Sequence, residues 1–283
     1  MKHALNIFLN IFILSFLFSC NKNNELENEK NKTVLDTFSS NVKLQNVPNS
    51  EEESVVDILQ GSFLPLYGNG KKKVSIENFQ MAVYPITNAK YIEFVKNNPT
   101  WRKSNVLKIF ADENYLNTWK DDTTLGNNIS PNAAVTNISW YAANAYCEAN
   151  GMRLPTVDEW EYVAMADETK IDARTKKSYN QYILDWYEKS NTYKNDIGNT
   201  YKNIWGVYDM HGLVWEWTSD FNSILISGEN RGSENNDKNL FCGSASLGAN
   251  DLMNYAAFMR YAFRSSLKGN YCVQNLGFRC VKK

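Results

Sequence analysis

Beyond residue 170 no helical period is sustained, and short aromatic segments alternate with Gly, Asn, Ser and Asp as far as Lys283. A chain with that pattern has to fold as a loop-rich body. Loops leave many backbone N–H and C=O groups outside regular ladders, so such a fold needs other cross-links. Apolar residues at 43% and aromatic ones at 13%, against 22% charged, still supply material for a sizeable core. Apart from Cys20, the chain has Cys147, Cys242, Cys272 and Cys280, four residues that allow three pairings. Two disulfides are expected if the chain is exported into an oxidising compartment.

Export is what the N-terminus predicts. Lys2 and His3 precede an apolar run from Ala4 to Phe18 that is short for a membrane span, and it ends at Leu17-Phe18-Ser19-Cys20. A small residue directly before cysteine resembles a bacterial lipoprotein cleavage box. Residues 1–19 are therefore expected to be a signal peptide and Cys20 the lipidated residue, placing the protein in the bacterial cell envelope, periplasmic or surface-exposed. From Cys20 to Ser50 the composition turns to Asn, Glu, Lys and Ser, too poor in apolar residues to fold, and reads as a flexible tether. Residues 51–283 are left as one domain.

Within that domain the first elements are legible. Val55 to Leu59, Phe63 to Tyr67 and Val74 to Val83 are strand signals, punctuated by Gly61, Gly68 and Gly70. Thr87 is placed to cap a helix carrying Tyr91, Ile92, Phe94 and Val95 before Pro99. A second helix is predicted after Ser139, through Trp140, Ala143, Tyr146 and Cys147, to a stop at Gly151. Thr156 and Glu159 form a capping box for a third, with Trp160, Val163 and Ala164 as its buried stripe. Arg153, between the last two, needs a carboxylate, either Glu159 or Glu161. Trp215, Glu216 and Trp217 alternate at strand spacing, and a carboxylate between two indoles calls for a cation.

Charge and histidine content remove whole classes of function. Thirty Lys and Arg against 31 Asp and Glu give a net charge of −1, so no electrostatic footprint for nucleic acid exists. With only His3 and His211, histidine-based zinc sites and non-haem iron triads are excluded.

Four strings taken together are more specific. They are YPITNAKYIEFV at 84–95, VTNISWYAANAYCEANGMRLPTVDEWEYV at 135–163, IWGVYDMHGLVWEWTSD at 204–220 and NLGFRC at 275–280. In this order they resemble the formylglycine-generating enzyme family, also called the sulfatase-modifying factor family. The resemblance covers about residues 55–283 and implies an irregular α+β fold, a single domain with little regular secondary structure, related to the C-type lectin fold. It also implies a structural calcium held by Asp209, Gly212, Val214 and Glu216, the competing reading being that Glu216 is salt-bridged to an arginine. The family's disulfide between its AYC helix and its terminal GFRC maps onto Cys147 and Cys280, which leaves Cys242 and Cys272 to each other. Met210, Met253 and Met259 read as core filler rather than soft-metal ligands.

What the resemblance does not carry over is the chemistry. The family oxidises a substrate cysteine to formylglycine through two thiolates that bind copper(I), and the second of these positions falls on Ala256. Copper is therefore not expected. Ser244, Tyr255, Ala256 and Arg260 mark the remnant of the family's groove. Cysteine-free relatives serve as accessory proteins beside periplasmic copper enzymes, as gliding-machinery lipoproteins and as ligand-binding domains. The expected function is accordingly that of a membrane-anchored, monomeric, non-oxidase binding or maturation protein for an envelope client. The polar loop from Asp220 to Leu240, with Asp251 to Tyr255, is its candidate recognition surface. The alternative is a copper-dependent oxidase acting on a sulfatase-type client through a relocated Cys242 and Cys272 pair. A sulfoxide synthase on the same scaffold is excluded, since it needs a histidine iron site.

Overall fold

Thr87, Ser139 and Thr156 each start a helix as the sequence predicts, and the computed structural model shows the bonds that do it. It describes residues 53–66, 72–222 and 252–283, with the side chains from Tyr255 onward in the last segment. The signal peptide, Cys20, the tether up to Ser50, Cys242, Ser244 and the loop from residue 223 to 251 lie outside the described residues. Thr87 Oγ1 accepts from Lys90 N to open α1, Asn88–Asn97. Ser139 Oγ accepts from Ala142 N at the head of α2, Trp140–Ala149. Thr156 and Glu159 satisfy each other's backbone N–H in the capping box that opens α3, Val157–Ala164. Past the end of α2, Gly151 takes φ +66°, which closes the helix where a side chain would be strained.

Two further helices correct the expectation that helical order ends near residue 170. The first, α4, spans Lys177–Tyr187 with Tyr179, Asn180, Ile183 and Trp186 buried, and no side chain caps it. The second, α5, spans Leu252–Ser265, and its buried residues include Arg260 and Arg264 as well as Ala256, Ala257 and Tyr261. An uncapped start hid one, and arginines on the inner face hid the other.

The strands are short. Strand β1 (Val55–Ile58) pairs antiparallel with β4 (Phe79–Ala82), β2 (Gly61–Phe63) with β3 (Val74–Ile76), and β5 (Trp215–Glu216) runs parallel to β6 (Leu276–Gly277). Strand β7, Val281–Lys282, adds to the other side of β4. The described residues belong to one compact unit, Gln45–Lys283, mixed in helix and sheet with few regular elements.

The segment from Leu276 to Val281 is buried inside that unit. Phe278 is fully buried edge-on to Tyr91 and Tyr146, and Ile86 N donates to its carbonyl. A Cβ on Gly277 would meet the Val135 carbonyl oxygen at 2.7 Å, so only glycine allows this approach. Cys280 is bonded to Cys147 of α2 across 133 residues of sequence. Closing a loop of that length contributes roughly 5 kcal/mol in chain-entropy terms. Arg153 meets Val281 in a two-way backbone bridge, while its guanidinium holds Glu159 at 2.6 and 2.7 Å. Glu161, the other candidate partner, is engaged elsewhere.

Cys272 is one half of the second expected disulfide, whose other half, Cys242, lies outside the described residues. It is a free thiol, 4% exposed, donating to the Asn270 carbonyl at 3.5 Å. Its backbone N–H is tied to Asp112, which fixes the segment with the sulfur turned inward.

Candidate functional site

Of the expected groove remnant, Ser244 lies outside the described residues, and Ala256 and Arg260 are buried. Tyr255 is 43% exposed, but Ala256 is 1% exposed and packs with Ala173, Tyr179 and Ile183 against α4. Ala256, the position at which the resemblance expects a thiolate, places its methyl group in a hydrophobic cluster. Arg260, expected to line the groove, is buried on α3's Glu161 instead.

Glu161 gathers both arginines of the inner face of α5. Arg260 donates through Nε to both carboxylate oxygens (2.9 and 3.2 Å) and through Nη2 to Oε2 (2.8 Å), and Arg264 Nη1 reaches Oε1 at 2.8 Å. Arg260 and Arg264 are one helical turn apart, which puts both on one face. Burial alone would push the Glu161 carboxyl up, but Arg260 and then Arg264 outweigh it and hold it at about 2. One carboxylate against two guanidiniums leaves a positive charge in the interior. Arg264 spreads its share over the face of Trp160, 4.6 Å from the ring centre.

His211 stands beside this group with no exposure to solvent. Its Nε2 lies 3.1 Å from both the Tyr179 hydroxyl and the Ala164 carbonyl, while Nδ1 has no partner among the described residues. Trp160, Tyr179 and Trp186 surround the ring. The tautomer with its proton on Nε2 satisfies the Ala164 carbonyl and leaves Nδ1 a bare acceptor, the cheaper orphan. Burial, reinforced by the charge of Arg260, drops the His211 pKa to about 3. The imidazole is neutral at any ordinary pH.

A second carboxylate centre lies on β5. Glu216 accepts from Arg279 Nε (3.0 and 2.8 Å), from Arg279 Nη2 (2.8 Å) and from Trp160 Nε1 (2.8 Å), and both charged side chains are 0% exposed. Arg279 also bonds the carbonyls of Ala82, Val83 and Tyr208, linking β4, β5 and the terminal segment. A carboxylate has about four lone-pair directions, and donors use all of them here. The donor set therefore does not fit the calcium expected at Glu216, and the arginine reading describes this residue.

Asp209 is likewise engaged. It adopts φ +61° and accepts from Gly198 N, Thr200 N and Thr200 Oγ1, which ties the loop before it into place. Gly212 (φ +103°) and Val214, buried at 1%, occupy the turn between Asp209 and β5. Among the described residues no group of three or more His, Cys, Asp and Glu side chains is gathered where it could hold a metal ion.

Sequence reasoning singled out Arg260 and missed Arg264, Glu161's double role and Tyr179. The signal was present as two arginines four residues apart inside an apolar run.

A family model described as the sulfatase-modifying factor enzyme 1-like domain matches residues 41–283. The chain is 27% identical to the formylglycine-generating enzyme of Mus musculus over 74% of its own length and 67% of that relative's. It is 24% identical to the inactive Cα-formylglycine-generating enzyme 2 of Mus musculus, over 74% and 77% of the two chains. Among solved structures, PvdO from Pseudomonas aeruginosa aligns over 81% of this chain and 94% of that one, at 19% identity and a TM-score of 0.46.

Proposed function

Since the chain belongs to the sulfatase-modifying factor enzyme 1-like family over residues 41–283, we propose that it is a non-oxidase member acting as a binding or maturation protein for another cell-envelope protein, held to a membrane by lipid on Cys20. The observation that carries the first half is Ala256, which occupies a copper-thiolate position of the oxidases as a fully packed core residue. The inactive mammalian relative lends weight to a scaffold that persists without oxidase chemistry. No helix among the described residues is long and apolar enough to cross a membrane. Any attachment through the described part is therefore not by a spanning helix, and Cys20 is the residue proposed to carry it.

A relocated pair of Cys242 and Cys272 is the competing reading. Against it stands the environment of Cys272: burial first, and then Asp112, push its thiol well above the ordinary range. Copper(I) takes a thiolate, and this sulfur is held as a thiol.

The test uses residues 21–283 with copper(I), oxygen, a reductant and a sulfatase-type cysteine peptide, followed by mass spectrometry. The expected result is unchanged peptide. Formylglycine that disappears in Cys242→Ala or Cys272→Ala would replace the binding role with the oxidase. Anchoring is checked separately, by looking for the diacylglyceryl thioether on the N-terminal peptide and for release of Cys20→Ala from the membrane fraction.

A further inference from the structure

A pocket of about 260 Å³ opens between the turn running from Asp167 to Lys176 and the first turns of α4, with Glu168, Tyr179, Tyr182 and Tyr201 in its walls. The rings of Tyr182 and Tyr201 meet with centroids 5.4 Å apart at 73°, which forms an aromatic corner. Their hydroxyls are turned away to the carbonyls of His211 and Ala166, and the Tyr179 hydroxyl is committed to Ala164 and His211. Ring surface rather than free phenol groups therefore lines the corner.

Charge selects what can enter. Asp167 is already matched: it accepts from Lys176 Nζ at 2.7 Å and from Thr169 N, Thr169 Oγ1 and Lys170 N at 2.8 to 2.9 Å. Glu168 is exposed and has no ion-pair partner among the described residues. Two carboxylates against one ammonium leave the pocket with a charge of −1. Burial chiefly raises Tyr182 and Tyr201; Asp209 and then Glu168 add to it at Tyr182, and Asp167 and Glu168 at Tyr201 against an opposing Arg260. An anion finds no free cation here, since Lys176 is held by Asp167. A cation finds the aromatic corner and an uncompensated carboxylate.

We propose that this pocket binds an organic cation of the alkylammonium class, its charged head in the Tyr182–Tyr201 corner and paired with Glu168. Such a group is presented by a lysine side chain of a polypeptide or by a small free amine. The volume suits one such head with its alkyl stem rather than a larger ligand. The site shares Tyr179 with the cluster that buries Ala256, and Tyr182 and Tyr201 pack against that cluster, but the proposal does not depend on the accessory role.

Residues 21–283 are titrated by calorimetry with Nα-acetyl-lysine methylamide, n-butylammonium and the neutral Nα-acetyl-norleucine methylamide. Saturable binding of the two cations in the low millimolar range is expected, with the neutral compound at least about tenfold weaker. Glu168→Gln, a surface change that leaves the fold intact, is expected to weaken the cations about fivefold, and Tyr201→Leu about tenfold. Tighter binding of the lysine derivative identifies a polypeptide side chain as the ligand, and tighter binding of butylammonium a free amine. Equal binding of the neutral compound, unchanged affinity in Glu168→Gln, or no saturation by either cation overturns the proposal.

Discussion

The two buried carboxylates, Glu216 and Glu161, meet their arginines in different ratios. Glu216 has one guanidinium, and with Trp160 it uses every lone pair, so that centre is electrically closed. Glu161 has two guanidiniums, and the centre keeps a positive charge that Trp160 only softens. Both share Trp160, one through its N–H and the other through its face. A closed pair joins distant pieces of chain and tolerates nothing else nearby, whereas the open one holds its charge only because α3 and α5 clamp it.

Removing each carboxylate is the strongest way to break the comparison. Glu161→Gln strands two buried cations and is expected to destabilise by about 4 to 5 kcal/mol, against about 3 to 4 for Glu216→Gln, which strands one. Urea denaturation checks the order, and a larger loss at Glu216 would mean that α5 relieves its charge by moving outward.

Acid comes next in size. His211 stays neutral in the folded chain down to about pH 3, while an unfolded chain protonates it near 6.5. Through that window the unfolded state binds more protons, so stability falls as pH falls, by about 2 kcal/mol between pH 7 and 5. Glu161, held at about 2 rather than 4.5, adds its own loss only below the upper of these values. His3 is the other histidine in the sequence, so on residues 21–283 the His211→Gln variant should flatten the pH 7 to 5 slope and leave the steeper limb below it.

Smaller effects sharpen the contrast. Arg264→Leu removes the surplus cation while Arg260 keeps Glu161 satisfied, and it should change stability by no more than about 1 kcal/mol, in either direction. Arg279→Leu has no such spare partner and should cost several times more in the same denaturation series. At the bottom of the scale, adding calcium or a chelator is expected to leave the melting temperature within about 1 °C, since Asp209 and Glu216 are already held by protein donors and an ion without free ligands there cannot shift unfolding.

What could be read in the chain follows from the range of the forces involved. The caps at Thr87, Ser139 and Thr156 involve residues three positions apart, and they were legible. The filled position at Ala256 was legible too, because the absence of a thiol is a fact of sequence. Glu216 left two readings open, since its partner is 63 positions away and sequence gives no distance between them. Helix α5 was missed because Arg260 and Arg264 lie on its buried face, where a hydrophobicity pattern expects apolar residues. Its meaning depends on Glu161, about a hundred residues upstream.

The route of the terminal segment also bears on how the domain is made. Arg279 bonds Ala82, 197 positions earlier, and the same short stretch supplies β6, β7 and Cys280. Synthesis is vectorial, so nearly all of the domain emerges before the piece that completes its interior exists. Contacts of such long sequence separation form slowly, and until they do, the cleft awaiting Phe278 is exposed apolar surface that a chaperone can recognise and a neighbouring chain can mispair with.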